Sequence, residues 1–343
     1  MSDPEGRPQG GGWALWRWNV SAAALFAAAG GAGEAAAAPD APWAGGEWTF
    51  DLQGELGFVK AGDTTVGPVS DQSVLPLPNQ SSDVMGAVTY RPAASPWSFY
   101  FDVRYGRTRG ANESRASHYS TKFGQGSSAN VVHHEEEHGY VDFDVGRDVG
   151  LGLFGHGATT VGLGVRYAHF DSLDRDNFAT HTKYFSRKGV ATLRRKSDSV
   201  GPQIMIRQSS LLPGALGQGA LWFDWGATGG VLFGRQANTL SGSAATKSSG
   251  FDSDVRRAAR AARAKADFVT HHAYTSSWSG NQTTPDVSAF VQLSFRPAGS
   301  PLSVGVGYRV DEFWDGLNGA FPGRREISEL EHGPYLDVSL RFK

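Results

Sequence analysis

HGPYLDVSLRFK, residues 332–343, alternates without a slip: Leu336, Val338, Leu340 and Phe342 are apolar, and Asp337, Ser339 and Arg341 between them are polar. A two-residue period places all the apolar side chains on one face of a strand and the polar ones on the other. In a soluble protein the apolar face turns to a core. In a transmembrane barrel it turns to lipid and leaves the polar face in the lumen. One strand does not decide between these; how often the pattern recurs and what separates the recurrences do.

The alternation recurs ten times from Trp48 onward. Its apolar sets run through Trp48–Phe58, Val84–Tyr90, Trp97–Tyr105, Val141–Val145, Val161–Tyr167, Val200–Ile206, Leu221–Ala227, Val287–Phe295, Leu302–Val310 and Leu336–Phe342. Short turns built on Pro or Gly, RPAASP (91–96) and PAGSP (297–301), alternate with long polar excursions near 59–82, 107–138, 169–197, 236–285 and 312–331. Long connections gathered at one end are what an outer-membrane barrel has, with short periplasmic turns and long external loops. The expected fold is therefore all-β: a closed antiparallel transmembrane β-barrel of about ten strands, with eight or twelve as the neighbouring counts. Aromatics near strand ends, among them Trp48, Tyr90, Trp97, Tyr105, Tyr167 and Tyr335, fit girdles at the two membrane interfaces.

Composition agrees and narrows the field. The 45 glycines and 40 aromatic residues (20 Phe, 10 Tyr, 10 Trp) among 343 favour strands and turns. Past residue 38 no apolar run approaches the roughly 20 residues a spanning helix needs. A net charge of −2 gives no reason to expect a nucleic-acid partner, and the absence of cysteine removes disulfides, thiolate nucleophiles and cysteine metal sites. Residues 1–38 read as an export signal: Arg7 and Arg17 precede the apolar stretch VSAAALFAAA (20–29), and small residues follow at 35–38. A short linker, 39–45, then leads into a barrel over 46–343.

Several segments carry a family likeness. DVSAFVQLSF (286–295), SPLSVGVGYRVDEFWDGLNG (300–319) and HGPYLDVSLRF (332–342), with GPQIMIR (201–207) and ALWFDWGATGGVLFG (220–234), resemble the major outer membrane protein family of Legionella and its relatives. The resemblance covers roughly residues 200–343. It implies a pore-forming outer-membrane barrel in a Gram-negative envelope, and it carries no site residues.

The parity that faces lipid also assigns the lumen. The expected pore-lining set is Asp51, Glu55, Arg91, Asp102, Arg104, Asp142, Asp144, Arg166, Arg207, Asp224, Arg296, Arg309, Asp311, Asp337 and Arg341. Its cations are all arginine, which binds carboxylates through two points and stays charged when partly desolvated. About eight strands make a barrel just filled by its own side chains, whereas 16 or more leave an aqueous channel. Two functions follow. Either the charges line a narrow path for small polar solutes or ions, as the resemblance implies, or they pair across and close the lumen, leaving a barrel for surface display or envelope integrity. The expected partners are outer-membrane lipid and lipopolysaccharide, the barrel assembly machinery, solutes, and a second copy if the chain is a homo-oligomer.

Two stretches invite other chemistry. His134-Glu135-Glu136-Glu137-His138 matches the zinc-binding pattern H-E-x-x-H, which works because a helix stacks both imidazoles on one face. Here the neighbouring YVDFDV (140–145) favours a strand, on which His134, Glu136 and His138 share the lumen face and the two histidines stand about 13 Å apart. No metal, no cofactor and no catalytic residue is expected. VRRAARAARAK (255–265) reads as a helix in the longest external loop, with Arg256, Arg260 and Arg263 on one face.

Overall fold

The computed structural model describes residues 46–61, 79–110, 113–121, 124–150, 157–182, 185–215, 218–249, 267–317 and 327–342. The export signal, the linker and the arginine-rich run expected at 255–265 lie outside these residues. Gly45–Lys343 forms one compact unit.

The ten alternating segments all become antiparallel strands, and an eleventh, β4, lies in the excursion expected as a loop near 107–138: β1 Glu47–Ala61, β2 Asn79–Arg91, β3 Trp97–Arg109, β4 Glu113–Thr121, β5 Gly124–Asp148, β6 Gly157–Thr182, β7 Phe185–Ala215, β8 Gly219–Ser249, β9 Asp267–Pro297, β10 Leu302–Leu317 and β11 Ile327–Phe342. Each pairs with its sequence neighbours except β3 and β4, which both pair with β5, and β1 pairs with β11. β3 and β4 lie end to end along the same edge of β5, against its 135–147 and 124–132 halves. The wall is thus a closed ring of ten positions, one of which is built from two segments. Closure leaves the sheet without a free edge, which a strand set crossing hydrocarbon requires.

Register keeps the faces separate. Trp48, Phe50 and Leu52 stand opposite Phe342, Leu340 and Val338, so apolar side chains from neighbouring strands fall on one surface. That surface is outside: Leu163, Ile204 and Leu336 are each more than 60% exposed, whereas Arg104, Asp142 and Asp144 on the opposite face are nearly buried. An apolar exterior around a polar interior is the reverse of a soluble barrel, and it identifies the solvent of the outer face as hydrocarbon.

The long polar segments depart from expectation. They were expected as external loops, but 124–138, 169–182, 185–197, 236–249 and 267–285 continue the strands. β6 and β7 are separated only by residues 183–184. About 10 residues of a tilted strand cross a bilayer, so of the 31 in each of β7, β8 and β9 roughly 20 stand beyond it. The physical reason is that a strand needs only a paired neighbour, and hairpin partners supply one without an apolar face. Above Tyr167 the outward side chains turn polar, with Asp171 of β6 bound by Arg194 and Lys196 of β7 at 2.6 and 3.1 Å.

The opposite end is short and tight. Ser95 N donates to Pro92 O and Ser300 N to Pro297 O, both at 3.3 Å, closing two turns of the same plan. The third residue of each has positive φ, 54° at Ala94 and 72° at Gly299.

Candidate functional site

The strand period aims every second residue of the ring inward, so the candidate site is the interior itself. It divides into three levels.

At the short-turn end lies a vestibule of ~370 Å³. Among its lining residues are Arg91, Arg207, Arg296 and Arg341 with Glu47, Asp51, Asp224 and Asp337. Ion pairing here is loose: Arg341 Nε to Glu47 is 3.4 Å, Arg296 Nη2 to Asp224 3.3 Å, Arg207 Nη2 to Asp102 3.7 Å and Arg91 Nη1 to Glu47 3.9 Å. Arg296 lies over the Trp222 ring and Arg207 over the Tyr100 ring, at 4.2 and 4.6 Å from the centroids. Asp337 Oδ2 accepts from Gln292 Nε2 at 3.1 Å and from Ser339 at 2.9 Å.

A smaller cavity of ~100 Å³, whose lining shares Asp51 and Arg207 with the vestibule, reaches to Asp102, Arg309, Arg104 and Arg166. Arg309 Nη2 donates to Gln53 Oε1 at 2.9 Å, and Asp144 accepts from Gln203 Nε2 at 2.8 Å.

Beyond it the lumen is filled. Arg166 grips Asp142 through Nε and Nη2 at 2.8 and 2.6 Å and reaches Asp286 of β9 at 2.5 Å. Arg104 meets four carboxylates: Asp83 at 2.6 Å, Glu331 at 3.1 Å, Glu55 at 3.4 Å, and Asp311 on β10. Against these ion pairs packs an apolar cluster of Tyr140, Ala168, Phe170, Leu232 and Phe313, each no more than 5% exposed. The Tyr140 and Phe313 rings, from β5 and β10, stack 5.1 Å apart at 5°. His138 Nε2 lies 3.0 Å from Asp83 and 3.4 Å from Glu331. Gly106 makes that contact feasible, because a Cβ there would come within 2.2 Å of both His138 and Asp83.

His138, Asp83 and Glu331 present one ligand atom each within 4.8 Å of one another, the only such metal-compatible group among the described residues. Arg104 Nη2 is already in contact with the same Asp83 and Glu331 oxygens, so a guanidinium holds the place of cation charge. Ser81 donates to Asp83 at 2.6 Å and not to the imidazole, so Ser81, His138 and Asp83 are not in the relay order of a nucleophilic triad. The two histidines of the H-E-x-x-H pattern face different partners, His134 Nδ1 lying 2.5 Å from Asp174 and His138 Nε2 3.0 Å from Asp83, with Glu136 between them at 3.8 and 4.0 Å.

The third level is in the strand extensions beyond the apolar band. Arg195 donates to Asp174 at 2.5 Å and to Ser172 at 3.0 Å. Burial would raise the Asp174 carboxyl, but Arg195 and His134 hold it below its ordinary value. Asp176, two residues on, has no such cation, and burial pushes its carboxyl up to about 6.

All fifteen residues assigned to the lumen by parity lie on the inward face, but in different settings. Glu55, Asp102, Arg104, Asp142, Asp144, Arg166, Arg309, Asp311 and Asp337 are buried, Asp51, Arg207, Asp224, Arg296 and Arg341 are half-buried, and Arg91 is exposed at the rim. The sequence reading missed Asp83, Asp286, Glu331 and Arg195. Asp286 and Asp83 each sit one step before the first apolar outward residue of their strands, so extending the period by one residue would have found them. Glu331 and Arg195 stand in segments read as loops.

No protein-family model and no curated relative matches the chain. Among solved structures it is similar to the outer membrane protease OmpT of Escherichia coli, at 10% identity and a TM-score of 0.38, over 87% of this chain and 96% of that one. It is also similar to the translocator domain of the autotransporter NalP of Neisseria meningitidis, at 9% identity and a TM-score of 0.29, over 94% and 95% of the two chains. A third is Ail of Yersinia pestis, at 9% identity and a TM-score of 0.21, over 87% and 99%.

Proposed function

We propose that the chain is a bacterial outer-membrane barrel sealed across its middle, which works through its two ends: an elevated external wall for display and a recess facing the periplasm. The observation that carries this reading is the layer around Arg104, Arg166, Tyr140, Phe170 and Phe313. Its members come from opposite sides of the ring, touch one another, and are nearly inaccessible to water. Arg104 and Arg166 hold carboxylates from strands across the ring, and separating such buried pairs strands charge in a low dielectric. The outward apolar band and closed ring support residence in an outer membrane among lipopolysaccharide.

The test is single-channel recording of the refolded barrel in a planar bilayer. The expected result is no steady conductance from the native chain, and openings from a variant carrying Tyr140→Ala and Phe313→Ala. Stable currents from the native chain would overturn the sealed reading.

The second reading is a passive channel for small polar solutes or ions, which the resemblance to the Legionella-type major outer membrane proteins implies. It is favoured by the vestibule and the smaller cavity, which share lining residues and lead toward the centre from one mouth. In that case Arg309→Ala or Arg341→Ala removes a fixed charge from the path and shifts the reversal potential.

A further inference from the structure

We propose that the vestibule at the short-turn end is a binding site for a small amino-acid-like zwitterion, one bearing a carboxylate and an ammonium group. At ~370 Å³ the recess falls within the range of sites that hold small ligands. Its charged lining balances, with four arginines and four carboxylates, so a strongly charged ion of either sign gains little net attraction. A solute carrying both charges is matched group by group.

The unsatisfied atoms point the same way. The buried Nε atoms of Arg207 and Arg296 have no hydrogen-bond partner, and neither has the buried Oδ1 of Asp337. Glu55, Arg104, Asp286 and Glu331 in the filled level also carry such atoms, but those of Arg207, Arg296 and Asp337 belong to residues that line the recess, where a ligand can offer a complement. Two donors ask for an acceptor such as a carboxylate, and one acceptor asks for a donor such as an ammonium. The donors are neighbours, since Arg296 Nη2 lies 3.4 Å from Ser209, two residues along β7 from Arg207. Both guanidiniums are held by stacking on Tyr100 and Trp222 rather than by tight ion pairs, which fixes the planes while 28% and 21% of the Arg207 and Arg296 side chains stay exposed. Asp102 and Asp224 hold these arginines at 3.7 and 3.3 Å, against 2.6 Å for Arg166 and Asp142 deeper in. An incoming carboxylate therefore displaces a weak contact.

The test is calorimetric titration of the full refolded barrel in a non-ionic detergent with dialanine, succinate, putrescine and inorganic phosphate. Dialanine is expected to bind at one site and the other three to bind more weakly. Arg207→Gln with Arg296→Gln is expected to weaken dialanine by roughly tenfold or more, the effect of losing charge-assisted hydrogen bonds. Asp337→Asn is expected to weaken dialanine but not succinate. Each variant must migrate as a folded barrel on an unheated gel; if the double variant does not, Asp337→Asn carries the test. Equal binding by succinate or phosphate would overturn the zwitterionic assignment, and no binding of dialanine, or binding indifferent to these substitutions, would overturn the site. The measurement needs no membrane, so its outcome is independent of whether the lumen conducts.

Discussion

The vestibule and the sealing layer are made from the same two residue types, arginine and carboxylate, yet they behave as different materials. In the layer Arg104 and Arg166 each reach at least one carboxylate at 2.5–2.8 Å, with further partners of Arg104 at 3.1 and 3.4 Å, and the side chains are less than 8% exposed. In the vestibule the gaps are 3.3–3.9 Å and Arg341 and Arg91 are 38% and 43% exposed. Charge composition therefore does not say whether a barrel interior is a plug or a recess; the distance across the ring does. Where β3, β5, β6 and β10 bring large side chains face to face, the open space shrinks to a cavity of ~100 Å³. Where Gly157, Ala158 and small hydroxyl residues line the wall, the same charges stand apart around an open space.

The sharpest way to break the contrast is to remove one arginine from each region. Arg104→Ala leaves four carboxylates buried around a vacant position, and breaking a buried ion pair costs about 3–5 kcal/mol. Arg341→Ala removes an exposed pair with an expected cost of about 1 kcal/mol or less. Urea unfolding in detergent should separate the two, and similar losses would refute the division. Gly106→Ala comes next. Its methyl group would collide with His138 and Asp83, and overpacking of this kind costs roughly 1–3 kcal/mol.

A smaller effect sets the paired and unpaired carboxylates of β6 against each other. Asp176 has a raised pKa of about 6, so the folded chain binds its proton more tightly than the unfolded chain. It therefore costs stability increasingly as pH rises from about 4 through 6, and Asp176→Asn should slow hydrogen exchange in the β6–β7 extension at pH 8 but not near pH 4. Asp174 has the opposite sign: its depressed pKa gives stability present above about pH 4 and lost as pH falls, so Asp174→Asn should speed exchange at pH 8. The smallest expected change is at the short turns, where Ala94→Gly relieves a positive φ that Gly299 already accommodates, a gain of up to about 1 kcal/mol.

Much of the wall was legible because membrane strands obey a simple period. From Trp48 to Phe342 each apolar set named a strand, and its parity put Arg104, Arg166 and Asp311 on the inner face. The extensions were not legible, because 169–197 and 236–285 carry no apolar outward set. A polar strand paired on both sides looks like a loop in sequence. Arg195 and Asp174, the partner of His134, were lost with them, as was Glu331 in the 312–331 segment, whereas the shared inward face of His134, Glu136 and His138 was read.

The sequence by itself determined the two-faced strands and the inward side of the fifteen charges it named, since these follow from spacing along one chain, and it left the count around the ring at about ten, with eight or twelve open. Only the tertiary structure decided which charges meet: Arg104 with Asp311, Arg166 with Asp286 and Tyr140 with Phe313 lie 207, 120 and 173 positions apart. Curvature of the closed ring sets those distances, and with them where the lumen is filled and where it is left open.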